Sequence, residues 1–272
     1  MPSHTILNVH IDDLSDEALR QIILVCLKSE TGKVIVTPNA EMLLLSRRDE
    51  TFRRRLNDAD LHLPDSVSLR YAVAALTDDH LQYRHTGVDT LSLIAELCAE
   101  HSKRLLLLGG APGCADRAAK NIRNLVTDAL DVHAIDPGVI EWDGAGVVLP
   151  AAMEELIRQI EPNVIAVAFG QQKQEAFMDY YRGRFPSVRF MIGVGGAFEM
   201  LSGQKKRSPK WMRSLGLEFI WRVLIEPRRA GRIIRASVVF PMVVATEAAR
   251  QKRFVKAVKR VIPEVARQLL HL

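Results

Sequence analysis

Apolar residues fall into two rhythms along this chain. Short, largely apolar runs, such as Val34-Ile35-Val36 and Leu61-His62-Leu63, recur at residues 104–108, 132–135, 164–169 and 189–194. Several are apolar at every position rather than every second one, as in strands buried on both faces. Between them, apolar positions recur every three or four residues. The stretch 14–29 sets Leu14, Ala18, Ile22, Val25 and Cys26 on one stripe, with Gly32 as its stop. The same reading gives helices at 42–57, 67–76, 91–101, 115–129, 150–160 and 171–184. Strand and helix alternate in this way for nearly the first 200 residues. The pattern predicts an α/β fold, a mainly parallel sheet covered by helices.

Beyond residue 210 the rhythm changes. Residues 211–224 and 227–249 read as helices with no strand between them. In 253–270, Phe254, Val258, Val261, Ile262, Val265 and Leu269 fall at helical spacing, with Lys256, Lys259, Arg260 and Arg267 mostly off that stripe. Pro263 is expected to start or kink a turn. Such a helix can cap the body, pair with another subunit, or lie in a lipid interface. The expected division is an α/β catalytic body over residues 1–202 and an all-helical, basic appendage over 203–272.

Charge sharpens that division. The chain carries +5 overall, yet from Gly203 onward 17 Lys and Arg face 4 Asp and Glu. The appendage is therefore +13 and the preceding 202 residues are −8. A basic quarter on an acidic body points to a polyanion or an anionic membrane surface as its partner. Cys26, Cys98 and Cys114 are far apart and read as reduced core residues. The start, Met1-Pro2-Ser3-His4, has no basic segment and no long apolar run, so no export is expected. No stretch reaches the length of a spanning helix; residues 236–245 come nearest and contain Pro241.

Polar residues that follow the strand-like runs are the first candidates for chemistry. Thr37-Pro38-Asn39 follows one strand and serves either ligand contact or helix capping. Asp65 follows another, as an N-cap or as a catalytic group. Gly109-Gly110-Ala111-Pro112-Gly113 turns a strand into a helix, but without GxGxxG or the P-loop lysine. Gly195-Gly196 ends the run 190–194, where an anionic ligand could approach the backbone. Lys205, Lys206, Arg207, Lys210 and Arg213 follow, interleaved with Pro209, Trp211 and Met212. The eight histidines are scattered, and no HxxxH or CxxC occurs. Asp58-Ala59-Asp60 is formally a DxD triplet but sits at the end of an arginine-rich helix, and is taken as surface charge. A GxSxG elbow is absent. The long apolar runs of the tail suit a membrane better than phosphate readout, so nucleic acid is not expected as a partner.

Taken together and in order, several short pieces resemble the WecG/TagA/CpsF family of bacterial glycosyltransferases. They are Thr37-Pro38-Asn39-Ala40-Glu41, Ala59-Asp60-Leu61 with Pro64-Asp65, Arg84 with Thr86-Gly87-Val88-Asp89, and Leu107-Leu108-Gly109-Gly110. Further on come Gly170 with Lys173-Gln174-Glu175, then Gly193-Val194-Gly195-Gly196-Ala197-Phe198. Arg207-Ser208-Pro209-Lys210-Trp211-Met212-Arg213, Gly216-Leu217-Glu218 and Glu226-Pro227-Arg228-Arg229 complete the set. The resemblance implies a Rossmann-like body and inverting transfer of a hexose-type sugar from a UDP-sugar to a polyprenyl-diphosphate-linked sugar. It also implies no metal or other cofactor, and peripheral attachment at the cytoplasmic face of the plasma membrane. Matched by motif, Asp65 stands at the proposed general base. Thr37, Asn39, Arg84 and Gln174 match the donor and diphosphate pocket, with Gly109, Gly110 and Gly195 giving close approach. Glu199 stands near the nucleoside. Arg213, Arg222 and Arg229 match appendage arginines that neutralise the leaving diphosphate. Ser66, Tyr83 and Gln172 depart from the family pattern, where Gly, Glu and Pro are usual. The competing reading is a non-catalytic nucleotide- or polyanion-binding protein using the same basic tail. Donor sugar, acceptor sugar and any homo-oligomer stay open at this stage.

Overall fold

The computed structural model describes residues 2–30, 32–144, 146–204, 209, 212, 221, 231 and 234–270. The chain opens with an antiparallel hairpin that the apolar rhythm did not reveal, β1 (Ser3–Ile6) and β2 (Val9–Asp12). Its two-residue turn, Leu7-Asn8, has φ of 50° and 65°, the geometry that matches strand twist in tight hairpins. The strands have four residues each, too short for alternation to stand out from chance.

The main sheet has six strands in the order β4-β3-β8-β7-β5-β6. They are β3 (Lys33–Val36), β4 (Leu61–His62), β5 (Leu105–Gly109), β6 (Val132–Ile135), β7 (Val164–Ala168) and β8 (Phe190–Gly193). Every neighbouring pair is parallel. The unbroken apolar runs follow from what lies above and below. Val34, Val36, Leu106, Leu108, Ile165, Val167 and Met191 enter one core layer. Ile35, Leu105, Leu107, Val164, Ala166, Phe190 and Ile192 enter the other. α2 (Ala40–Ser46), α3 (Glu50–Asn57) and α8 (Lys173–Tyr181) cover the first face. α1 (Asp16–Lys28), α5 (Gly87–Glu100), α6 (Cys114–Val126) and the short α9 (Ala197–Leu201) cover the second. α4 (Ser68–Leu76) and α7 (Ala151–Ile160) contribute to the first layer. This is the Rossmann-like α/β architecture that was expected. The three cysteines are free and buried.

Capping side chains reset several helix boundaries. The single helix expected over 42–57 is two helices, because Asp49 begins a new one by accepting the Phe52 N–H at 2.9 Å. α5 starts at Gly87, four residues before the apolar stripe, because the Thr86 hydroxyl accepts from the Asp89 N–H at 3.2 Å. Gly87 suits that start: a Cβ there would lie 3.0 Å from the Val194 carbonyl oxygen.

At the C-terminal end, the helix expected over 227–249 shows, in its described part, a π-helical turn at Arg235–Val239 before α10 (Phe240–Arg250). The Phe240 N–H donates to the Arg235 carbonyl. Pro241 follows at once, and widening the turn relieves a ring that α geometry would press on the preceding carbonyls. α11 (Phe254–Leu270) runs through Pro263 rather than starting there. Phe240, Val244, Ala248 and Ala257 share a core layer with Leu69 and Val73 of α4. Beyond α4, Asp78 pairs with Arg253 at 2.6 Å and Lys256 at 2.5 Å, and His80 lies 2.7 Å from Glu264. The helix expected over 211–224 and the basic cluster around Lys205 lie outside the described residues. Among those described, no helix is long and apolar enough to cross a membrane.

Phe190 has no exposed surface at the centre of the sheet. Phe190→Ala is expected to lower the unfolding free energy by about 3–5 kcal/mol. Urea denaturation would read this as a lower midpoint at unchanged slope.

Candidate active site

Because the strands are parallel, all six end on one edge, and the polar residues singled out above gather there. The backbone on that edge turns sharply at Gly109, Gly110, Gly170 and Gly195, with φ of 97°, 89°, 83° and 53°. At Gly109 a Cβ would also strike the Phe169 ring at 2.6 Å. Gly170 and Gly195 instead face open space, where a Cβ would meet nothing within 4 Å. Gly110 and Gly195 already use their N–H groups, on the Ala168 carbonyl at 3.0 Å and the Gln174 Oε1 at 3.2 Å. Their contribution to a ligand is the missing side chain, not a free donor.

The ends of β3 and β4 form one corner. Thr37 is buried and donates its hydroxyl to the Gly193 carbonyl at 2.8 Å, which locks β3 to β8. Asn39 caps α2: its Oδ1 accepts from Glu41 and Met42 N–H at 3.0 and 3.1 Å. The side-chain nitrogen of Asn39 is then the end it can turn to a ligand. Asp65, half-buried, lies beside this cap, since its N–H donates to the Pro38 carbonyl at 3.0 Å. Ser66 accepts from the Ala40 N–H at 3.3 Å and so ties the same turn to α2.

Arg84 arrives from the connector before α5. Its Nη1 sits 3.4 Å from the Asp65 carbonyl oxygen. Asp13, just after the N-terminal hairpin, holds that connector: its carboxylate accepts from Gln82 N–H at 3.0 Å and Tyr83 N–H at 2.9 Å. His85 closes the other side, with its N–H on the Pro64 carbonyl at 3.0 Å and its ring Nε2 2.7 Å from the Leu14 carbonyl oxygen. The Arg84 guanidinium thus meets the Asp65 backbone at this corner. The two groups that aim Arg84, Asp13 and His85, were missed, because each lies far in sequence from what it holds.

Gln174 and Glu175 open α8 at the end of β7, and both are 2% exposed. Gln174 Nε2 donates to Glu175 Oε1 at 2.7 Å, and Glu175 Oε2 accepts the Gln172 N–H at 2.6 Å. Gly193 is glycine for this reason: a Cβ would stand 2.7 Å from Gln174 Nε2. Glu199, on α9, is half-buried on the far side of the Gly195-Gly196 turn. Arg213, Arg222 and Arg229 lie outside the described residues. A cavity of about 580 Å³ separates α2 from the π-helical turn and α10, with Arg47, Arg48, Leu45, Val239 and Val243 on its walls. Arg235 bridges it to Glu41 at 3.0 Å.

Asp60, of the DxD triplet, is at the opposite edge. It accepts from Val34 N–H at 2.9 Å, Lys33 Nζ at 3.0 Å and Arg182 Nη2 at 2.6 Å. It is a structural clasp more than loose surface charge. Among the described residues no group of three or more His, Cys, Asp and Glu could hold a metal ion. Asp13→Ala leaves two backbone donors without their acceptor. It is expected to cost about 1–3 kcal/mol, checked by denaturation.

The profile of the glycosyl transferase WecG/TagA/CpsF family matches residues 4–254. A Bacillus subtilis (strain 168) protein, N-acetylglucosaminyldiphosphoundecaprenol N-acetyl-beta-D-mannosaminyltransferase, is 28% identical over 203 residues, covering 75% of each chain. A protein of the same name from Bacillus spizizenii is 27% identical over 210 residues, covering 76% of this chain and 77% of its own. Because that profile spans residues 4–254, most of the chain, the chain belongs to the WecG/TagA/CpsF family of glycosyl transferases.

Proposed function

We propose that this glycosyltransferase moves a hexose-type sugar, with inversion, from a UDP-sugar to a polyprenyl-diphosphate-linked sugar in the assembly of a cell-surface polysaccharide. The observation that carries the reading is the meeting of Asp65, Arg84 and Asn39 around one turn. That turn adjoins the glycine-lined ends of β7 and β8, in a member of this family. The names of both Bacillus relatives, which specify a diphosphoundecaprenol-linked N-acetylglucosamine and transfer of N-acetylmannosamine, support the lipid-linked acceptor.

In this reading Asp65 is the general base. It takes the acceptor hydroxyl proton as that oxygen attacks the anomeric carbon. The bond from that carbon to the UDP oxygen breaks, and its electron pair leaves with UDP. A single displacement of this kind inverts the centre. Arg84 offers a permanent cation to the departing diphosphate, and Arg213, Arg222 and Arg229 of the basic segment are proposed to add theirs. Asn39 holds the donor, Gln174 acts on it through the Gly195 turn, and Glu199 faces its nucleoside. Guanidinium groups supply the charge compensation, so no metal ion or other cofactor takes part.

The appendage, residues 203–272, is proposed to hold the enzyme on an anionic leaflet at the cytoplasmic face, where the acceptor resides. The support is the outward face of α11. Val255, Val258 and Ile262 are 69%, 43% and 61% exposed, on a helix that also carries Lys256, Lys259 and Arg260. Apolar side chains beside cations are what an anionic bilayer surface recruits.

Asp65→Ala is expected to keep UDP binding, by calorimetry, and to lose transfer by about 10²–10⁴-fold. Near-normal turnover would remove Asp65 as base. Arg84→Ala should weaken both binding and transfer, and a chelator should leave turnover unchanged. A Val258→Asp/Ile262→Asp double variant should lose co-sedimentation with phosphatidylglycerol vesicles while keeping its folded spectrum.

A further inference from the structure

The Gln172–Glu175 turn holds a buried carboxylate that the transfer step does not use. We propose that Glu175 is a positioning residue: its carboxylate fixes which way the Gln174 amide faces, and through that amide it fixes the Gly195 turn beneath the sugar nucleotide. The assignment rests on the reading above for the identity of the ligand, but not for the hydrogen-bond chain itself.

The chain has a polarity. The Gly195 N–H can only donate, and it donates to Gln174 Oε1 at 3.2 Å. The Gln174 Nε2 end is therefore directed the other way, onto Glu175 Oε1 at 2.7 Å. The second carboxylate oxygen takes the Gln172 N–H at 2.6 Å. Both oxygens of Glu175 thus accept from donors, which an ionised carboxylate does and a neutral acid or an amide does not do as well. With an amide at position 175, either its NH₂ faces the Gln172 N–H, or Gln174 turns over and sets its own NH₂ against Gly195. Each alternative opposes two donors.

The turn also needs holding. Gln172 has φ 70° and ψ −51°, outside the usual range for a side-chain-bearing residue. Its N–H is on Glu175, and its Nε2 donates to Asp49 Oδ2 at 2.9 Å. The charged groups around it come from three sides. α3 brings Arg55, Asp58 follows α3 and Asp49 precedes it, α8 brings Asp179, and Arg182 follows α8, while β3 adds only Val34 and Val36. Arg55 is paired with Asp179 at 3.2 Å.

Burial disfavours the Glu175 charge and raises its pKa to about 7, against the pull of the Gln174 and backbone hydrogen bonds and of Arg55. The charged, chain-ordering form is therefore gained as pH rises through neutrality and lost below it. Binding of the donor should follow the same direction.

The test uses the full-length protein with ¹⁵N-labelled glutamine. The Gln174 side-chain amide signal, identified by its loss in Gln174→Leu, should shift with a midpoint of about pH 7. Glu175→Gln should abolish that titration. With the UDP-sugar and lipid acceptor that the wild type turns over, kcat/KM should fall several-fold as the pH drops below neutrality. In Glu175→Gln it should be about tenfold lower than wild type above pH 7, mainly through KM for the donor. That variant should also show no change across the same range. A wild-type Gln174 amide that does not move between about pH 5.5 and about pH 8.5 overturns the assignment. So does a folded Glu175→Gln enzyme that keeps the wild-type kcat/KM and its pH limb. Should Glu175→Gln fail to fold, the wild-type amide titration decides. Should the wild type turn over no UDP-sugar, the functional reading fails while the amide titration still judges Glu175.

Discussion

Parallel pairing of strands covered on both faces is the constraint from which the rest follows. Such strands offer no wet side, so each inward position must be apolar and each backbone group must be bonded within the sheet. The five residues of β5 and the five of β7 are all buried. Polar chemistry has only the strand ends left to it, and parallel strands deliver those ends to one edge. Thr37, Asp65, Gly109, Gly170 and Gly195 are distant in sequence and share that edge for this reason.

At the edge, polar side chains work mostly on one another. Thr37 ties β3 to β8, Asn39 caps α2, Asp13 holds the Arg84 connector, and Glu175 holds Gln174. A net gain of about 1 kcal/mol per hydrogen bond is modest, but a buried group deprived of its partner costs more. The site is therefore rigid because its polar groups are interlocked, not because any single bond is strong. This also separates residues proposed to meet a ligand, Asp65 and Arg84 among them, from those that only aim them, such as Asp13 and Glu175.

The sheet was legible because it depends on composition over short windows: a short, largely apolar run marked each of its six strands. The strand-end candidates were legible as well, since glycine pairs and capping residues mark a turn wherever they stand. What escaped is long-range or very short. The β1–β2 hairpin is too brief to show alternation. The split at Asp49 turns on one side chain choosing a backbone N–H over solvent. Asp13 acts on residues some seventy positions away, a relation no local pattern carries. Glu175 was seen as part of a motif, but its burial beneath β8 was not. The reading of Asp58-Ala59-Asp60 as surface charge underrated Asp60, whose partners come from β3 and from beyond α8.

The placement of α4 has a mechanical consequence. Its nine residues make a rod of about 13 Å. One end abuts the turn of Asp65 and Ser66, where the Ser66 and Ser68 hydroxyls meet at 3.0 Å. The other end leads into Asp78 and His80, the anchor points for α11. A short helix bends little, so the separation between the Asp65 turn and the anchor points of α11 is set by the length of one stiff spacer.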